Sequence, residues 1–168
     1  MKFAIKKSKS ATPEPKASEI VRRFVIKPKV KPTMFPDDLP QLVYPHGLVP
    51  TMVMAMRHCP EDWMTSRHYV YCGRSGKGLV GIFGNPFGGE ACGLSVERSI
   101  QAYQEYAFEK WESDKQFRDA VIGLHGKILV CFCAPKQGVF ANDRPIICHA
   151  CILAFLSDRA AIEAHDKL

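Results

Sequence analysis

The residues best suited to chemistry lie between residues 124 and 153, and they are Cys131, Cys133, Cys148, His149 and Cys151. Cysteine thiolates and histidine imidazoles are ligands that zinc takes in tetrahedral protein sites. The pattern is Cys-x-Cys, then fourteen residues, then Cys-His-x-Cys; this spacing is permitted for zinc, although it is not the paired Cys-x-x-Cys typical of zinc modules. We therefore predict a zinc site formed by the first three cysteines with either His149 or Cys151.

Cys148 and His149 also suit catalysis. The apolar residues between 152 and 156 recur at helical spacing, which predicts that both side chains lie at or just before a helix N-terminus. The positive end of a helix lowers the pKa of a cysteine, and a thiolate beside an imidazole is an activated nucleophile. We predict that Cys148 or His149 acts as a nucleophile or a general base. The alternative is that the cysteines only pack, as small buried hydrophobes do.

A buried strand is predicted before this helix. Residues 128–133 are apolar, and Pro135 ends the run, which favours a strand over a helix. Successive side chains of a strand point to opposite faces, so Cys131 and Cys133 share one face. The polar residues 136–145 then form a loop outside the core.

The loop 73–89 contains seven glycines and follows a predicted strand at residues 67–72. Glycine lets a backbone approach a ligand closely, and we predict that Arg74 and Lys77 face a phosphate or a carboxylate. The loop has neither the Walker A pattern nor GxGxxG. The alternative is a long turn in which Asn85 bridges the backbone and Pro86 fixes the exit.

Two helices are predicted between the strands. Ser95 is a candidate N-cap for an amphipathic helix that reaches Trp111, and a second helix is predicted from residue 114 to about residue 124. Strands joined by a helical crossover run parallel, so we predict an α/β fold: a small three-layer, Rossmann-like domain with a mostly parallel sheet. Ligands gather at the carboxyl ends of such strands. We therefore expect the loop 73–89 and the cysteine–histidine cluster to face one another across one pocket.

Several residues match a known pattern in the same order. They run from residue 69 to residue 156 and are Gly73, Arg74, Gly84, Asn85, Pro86, Phe87, Leu124, Gly126, Lys127, Leu129, Cys131, Cys133, Pro135, Cys148, His149 and Leu153. The chain resembles a small family of bacterial and phage proteins, domain of unknown function 4326, whose hallmarks are a GNPF box and a CHGD box. The resemblance implies that Asn85, Pro86 and Phe87 face the ligand, and it implies no activity.

The chain departs from that family pattern at one place. Where the family has Gly-Asp after the Cys-His pair, this chain has Ala150 and Cys151. A family aspartate acting as a base or a metal ligand is therefore absent here, or a thiol replaces it.

The positive charge of the chain is concentrated at its N-terminus. Residues 1–32 hold ten Lys or Arg against two Glu, a balance of +8, while the remaining residues hold thirteen against fifteen, a balance of −2. Residues rich in lysine, serine and proline with little apolar periodicity are typical of a disordered segment. We predict a basic flexible tail at 1–38 and a single domain at 39–168. Residues 1–32 are expected to contact nucleic acid phosphates, the alternative being a solvated tail.

The composition also restricts the cellular setting. The 168 residues are 46% hydrophobic and 24% charged, which suits one globular domain. No run approaches the roughly 20 apolar residues of a membrane span, and no signal-peptide pattern is present. Seven cysteines, an odd number in closely spaced patterns, favour reduced thiols or metal ligands over disulfides. We expect a cytoplasmic protein, in the host cytoplasm if a phage encodes it.

Three functions stay open at this point. We favour a domain that binds or processes a nucleotide or another anionic small molecule in the pocket, with zinc as its cofactor if the cysteines bind metal. The alternatives are a zinc-stabilised module and a metal-free module, each non-enzymatic and tethered to nucleic acid or an acidic partner by the tail. The sequence assigns no reaction and no oligomeric state.

Overall fold

The computed structural model describes residues 38–76, 78–88 and 92–167. The predicted tail, apart from residue 38, and the predicted ligand residue Lys77 lie outside the described residues. Within those residues the chain forms a four-stranded sheet and three α-helices, which confirms the mixed α/β class. No helix in the described part of the chain has the length and apolarity needed to cross a membrane.

The strands are β1 Met52–Ala55, β2 Tyr69–Tyr71, β3 Ile128–Cys131 and β4 Val139–Phe140. Their order in the sheet is β2-β3-β1-β4. β3 is parallel to both of its neighbours, β1 and β2, whereas β4 is antiparallel to β1. The parallel pairing of β2 and β3 follows the prediction, and it brings their carboxyl ends together at one edge.

The helices are α1 Val96–Ser113, α2 Lys115–Ile122 and α3 Ala150–His165. Ser95 caps α1 as predicted, since its hydroxyl oxygen accepts a hydrogen bond from the Arg98 amide at 3.3 Å. Asp114 caps α2 in the same way, accepting from the Phe117 amide at 3.0 Å. Such caps satisfy amides that have no partner inside the helix, so each helix start is fixed locally.

One face of the sheet packs against the helices. The parallel register pairs Val53 with Leu129 and Ala55 with Cys131, and all four side chains are buried in one core with residues of α1, α2 and α3. On the opposite face, the Trp63 ring lies 6.4 Å from the Tyr71 ring. Trp63 belongs to a short 3-10 helix, Trp63–Thr65. The three-layer, Rossmann-like arrangement stays a prediction.

A buried carboxylate joins α3 to the opposite, amino edge of the sheet. Asp158 is 0% exposed and accepts hydrogen bonds from the amide and the hydroxyl of Thr51, which precedes β1. Tyr44 donates to the same carboxylate at 2.7 Å, and His125 Nδ1 lies 2.9 Å from it. Burial and the bond to Asp158 raise the pKa of Tyr44, so this phenol keeps its proton and donates.

The same network reaches β3. The Gly126 amide donates to the Thr51 hydroxyl oxygen at 3.0 Å, so the starts of β1 and β3 are tied to one α3 side chain. A buried charge is tolerated only when its hydrogen bonds are made, and here several donors surround it. The network therefore positions α3 on the sheet, at the edge away from the cysteines.

We predict that Asp158→Asn lowers the free energy of unfolding by about 3 kcal/mol, because the amide carries hydrogens where donors now meet a carboxylate. Urea denaturation at neutral pH measures the effect. Glu163→Gln is the matched control on the same helix: its carboxylate is half exposed and pairs only with Arg159, so we expect a change within about 0.5 kcal/mol. Equal losses in the two variants would contradict a positioning role for Asp158.

Candidate metal centre

Four side chains converge at the carboxyl edge of the sheet. Cys131 ends β3, Cys133 follows two residues later, and Cys148 and His149 immediately precede α3. Their sulfur and nitrogen atoms all lie within 4.8 Å of one another. The end of a strand and the start of a helix thus bring these four residues within metal-binding distance.

The distances fit a tetrahedral ion with a small adjustment. Cys133 Sγ lies 3.2 Å from Cys131 Sγ and 3.1 Å from Cys148 Sγ. His149 Nδ1 lies 3.8 Å from Cys131 Sγ and 3.9 Å from Cys133 Sγ. Zinc–sulfur bonds of about 2.3 Å at tetrahedral angles separate two sulfurs by about 3.7 Å. The sulfurs therefore need to spread by about 0.5 Å to hold zinc.

His149 is oriented by its other ring nitrogen. Nε2 lies 2.8 Å from the Cys72 carbonyl oxygen, and because a carbonyl only accepts, Nε2 must carry the hydrogen. Nδ1 is then the nitrogen that faces the thiols. The Tyr103 ring and the imidazole pack edge to face, with 4.8 Å between the ring centroids. Metal-binding histidines characteristically have this arrangement, with the second nitrogen held by a carbonyl or carboxylate.

The four groups share protons strongly. Hydrogen bonds from Cys133, Cys148 and His149 hold the pKa of the Cys131 thiol well below its ordinary value, against the effect of burial. Burial by itself lowers the pKa of His149, but hydrogen bonds and charge from Cys131 and Cys133 raise it to about 10. The cluster thus favours a thiolate beside an imidazolium, and a metal ion would replace that shared proton.

Cys148 and Cys151 are buried members of the predicted set. Cys148 is 0% exposed, and hydrogen bonds to neighbouring thiols, with burial, raise its pKa. Its predicted role as a nucleophile stays a prediction, while its position suits a metal ligand. Cys151 is on the first turn of α3, buried, and contacts Cys148. It is outside the group of four, which His149 completes.

The glycine loop and the cluster line one pocket of about 250 Å³. Its lining includes Gly73, Arg74 and Asn85 from the loop and Cys131, Cys133 and His149 from the cluster. The loop and the cluster therefore share one pocket, and contact of both with a single ligand stays a prediction. Cys148 is not among the lining residues, which places it behind the cluster as seen from the pocket.

Arg74 brings a guanidinium to this pocket. It is exposed, and its Nη1 donates to the Gly88 carbonyl at 2.8 Å. Among the described residues, its Nε and Nη2 atoms have no hydrogen-bond partner. The guanidinium is thus held at the pocket by one bond and keeps donors for an anion.

The GNPF box packs inside the protein. The Asn85 side chain donates to the Ser99 hydroxyl at 3.0 Å and accepts from the Phe87 amide at 2.8 Å. Phe87 is 0% exposed and meets Tyr106 edge to face at 6.0 Å, and Pro86 accepts a hydrogen bond from the Cys92 thiol. Asn85 lines the pocket, but its amide is committed to the loop and α1. Ligand contact by these three residues stays a prediction.

Two glycines of the loop, Gly81 and Gly84, allow the loop to pack closely on itself. A Cβ at Gly81 would lie 2.0 Å from the Gly73 carbonyl oxygen, and a Cβ at Gly84 would lie 2.6 Å from the Arg74 Cα. Both distances are impossible for real atoms. The backbone approaches that glycine permits are therefore made between parts of the loop, and they fix Arg74.

Comparison with known proteins gives one match. Residues 56–159 match the family Domain of unknown function (DUF4326). The chain belongs to this family. No curated protein and no solved structure matches the chain. The DUF4326 match spans the whole pocket and all four clustered side chains, so the site belongs to the family's own region.

Sequence reasoning missed two parts of the DUF4326 site. The first turn of α1 lines the pocket with Val96, Ser99 and Ile100. Tyr103 donates to the Phe83 carbonyl at 2.8 Å while its ring packs on His149, so it joins the loop to the cluster. The Ser95 cap was the available signal, because it starts α1 directly after the loop. Nothing local marks Tyr103 as more than a core residue.

We predict that Gly81→Ala destabilises the DUF4326 domain by about 3 kcal/mol or more, because the added methyl collides with backbone that cannot swing away. Gly88→Ala is the matched control, since its Cβ would meet its nearest neighbour at an ordinary 3.7 Å; we expect a change within about 0.5 kcal/mol. Thermal and urea unfolding measure both variants. A Gly81→Ala protein as stable as the control would refute the close packing of the loop.

Proposed function

We propose that this DUF4326 domain binds one zinc ion through Cys131 Sγ, Cys133 Sγ, Cys148 Sγ and His149 Nδ1. The observation that carries the proposal is the approach of these four atoms to within 4.8 Å, with Nε2 of the same histidine anchored on the Cys72 carbonyl. Three thiolates and one imidazole make a donor set that suits zinc better than magnesium or calcium, which prefer oxygen.

Zinc at this position links elements that are distant in sequence. Cys131 ends β3 and Cys133 follows it, while Cys148 and His149 precede α3. Residues 134–147, which include β4, lie between the two pairs. Four protein ligands are the usual complement of a structural site, and its binding free energy then adds directly to folding. All seven cysteines are free of disulfides, as binding by thiolates requires. A reducing cytoplasm is the setting we propose for that state.

We predict that the protein, purified without added zinc, contains one zinc per chain by elemental analysis, and that Cys148→Ala abolishes it. Cys151→Ala is the matched control: it removes an equally buried thiol three residues away that lies outside the four, and it should keep the metal. Chelation of the wild-type protein should lower its thermal midpoint, since a ligand at a hundred times its Kd stabilises by about 2.7 kcal/mol.

Two results would contradict the zinc proposal. One is a wild-type protein that takes up no zinc or cobalt under reducing conditions. The other is equal metal content in the Cys148→Ala and Cys151→Ala proteins. The first result would favour the metal-free module, in which the thiols are packed hydrophobes.

We further propose that the pocket beside the cluster binds a small anion, with a nucleotide as the leading candidate. Arg74 supplies an exposed guanidinium, and apolar side chains such as Leu94 and Ile100 line the walls. A phosphate matches the guanidinium, and a base matches an apolar wall. At about 250 Å³ the pocket suits a molecule no larger than a mononucleotide. The basic residues 1–32 are proposed separately as a contact for nucleic acid.

We predict that mononucleotides raise the thermal midpoint more than the matching nucleosides do, because only the former carry the phosphate that Arg74 binds. Arg74→Gln should raise about tenfold the nucleotide concentration that is needed for the same thermal shift. Arg98→Gln is the control, since this arginine is exposed on α1 and does not line the pocket. Equal shifts by nucleoside and nucleotide, or equal loss in both variants, would overturn the anion assignment.

A further inference from the structure

One thiol of the cluster differs from the others in its access to solvent. Cys133 is exposed, whereas Cys131 and Cys148 are buried. Cys133 also lines the pocket, together with Arg74. A small molecule that enters the pocket therefore meets this sulfur in the open.

The Cys133 sulfur lies among the other proposed zinc ligands. Two thiols lie within 3.2 Å of it and the His149 ring nitrogen lies within 3.9 Å. A cysteine that binds a metal is deprotonated, and the thiolate is the nucleophilic form of the residue. This step rests on the proposed zinc site, whose ligands include Cys133.

The pocket around Cys133 has both an apolar and a charged part. Phe132 and Ile147, 62% and 40% exposed, line the same pocket as the sulfur. The Arg74 guanidinium gives this pocket positive charge. A molecule that fits both parts has a short apolar body and an anionic group, and it presents its body to the sulfur.

We propose that Cys133 is the reactive thiolate of this pocket and that it accepts an alkyl group from a small electrophile bearing a carboxylate or phosphate. The sulfur lone pair forms a bond to the electrophilic carbon, the bond from that carbon to its leaving group breaks, and the leaving group departs with the electron pair. The thiolate becomes a neutral thioether, and no oxidant or reductant takes part.

A pair of reagents tests both halves of the proposal. Iodoacetate and iodoacetamide alkylate thiolates by the same displacement of iodide, but only iodoacetate is an anion. The zinc-loaded full-length protein is treated with each reagent, and labelling at every cysteine is followed by peptide mass spectrometry. Cys59 and Cys92 are half-buried cysteines outside the cluster and serve as internal references.

We expect Cys133 to react at least about tenfold faster than either reference cysteine. The ratio of the iodoacetate rate to the iodoacetamide rate should be higher at Cys133 than at the two reference cysteines. Arg74→Gln should lower this ratio at Cys133 about fivefold and leave the labelling of Cys59 and Cys92 unchanged. Cys72, which is 0% exposed, should stay unlabelled and so reports that the variant is folded. If Cys72 is labelled in the Arg74→Gln protein, the Arg74→Lys variant is used in its place. The lysine should keep part of the preference for iodoacetate.

Two results would overturn the proposal. In the first, a reference cysteine reacts before Cys133. In the second, Cys133 reacts first but shows no Arg74-dependent preference for the anion, which removes the assigned class of electrophile. Zinc content is measured before the reagents are added. Stoichiometric zinc with an unreactive Cys133 leaves the metal site intact and refutes this inference alone, whereas absence of zinc refutes the site.

Discussion

The contact on which the rest of the site depends is the bond between His149 Nε2 and the Cys72 carbonyl. It joins the end of β2 to the start of α3, and so it fixes both the position of the imidazole and the nitrogen that faces the sulfurs. Cys131 is positioned by β3 itself, because the Cys72 amide donates a hydrogen bond to the Val130 carbonyl and holds β3 beside the end of β2. One backbone oxygen thus orients the imidazole so that its Nδ1 faces the thiols.

The glycine loop completes this arrangement from the other side. Its close internal packing and the Asn85 bonds hold it against α1, and Tyr103 connects the same loop to His149. The residues that resemble the family's GNPF box therefore act mainly as a frame for their neighbours. Arg74 is the loop side chain that brings positive charge to the pocket. Loop, helix and cluster form a single packed unit.

Local patterns predicted much of this structure. Apolar runs indicated the strands of residues 69–71 and 128–131, the Ser95 cap indicated α1, and parallel pairing brought the cysteines to the glycine loop. The missed features depend on contacts between distant residues or on very short elements. Asp158 bonds Thr51, 107 positions away, and β4 has only two residues. The three-layer arrangement stays a prediction, because periodicity shows that a helix buries one face without showing which side of the sheet receives it.

α3 is fastened at two points along its length. Its first turn follows the thiol cluster, and Asp158, about 12 Å further along the axis, is bound to the starts of the strands. The helix therefore spans the sheet from its carboxyl edge to its amino edge, and Tyr44 and Thr51 are anchored on the same helix that begins at the thiol cluster.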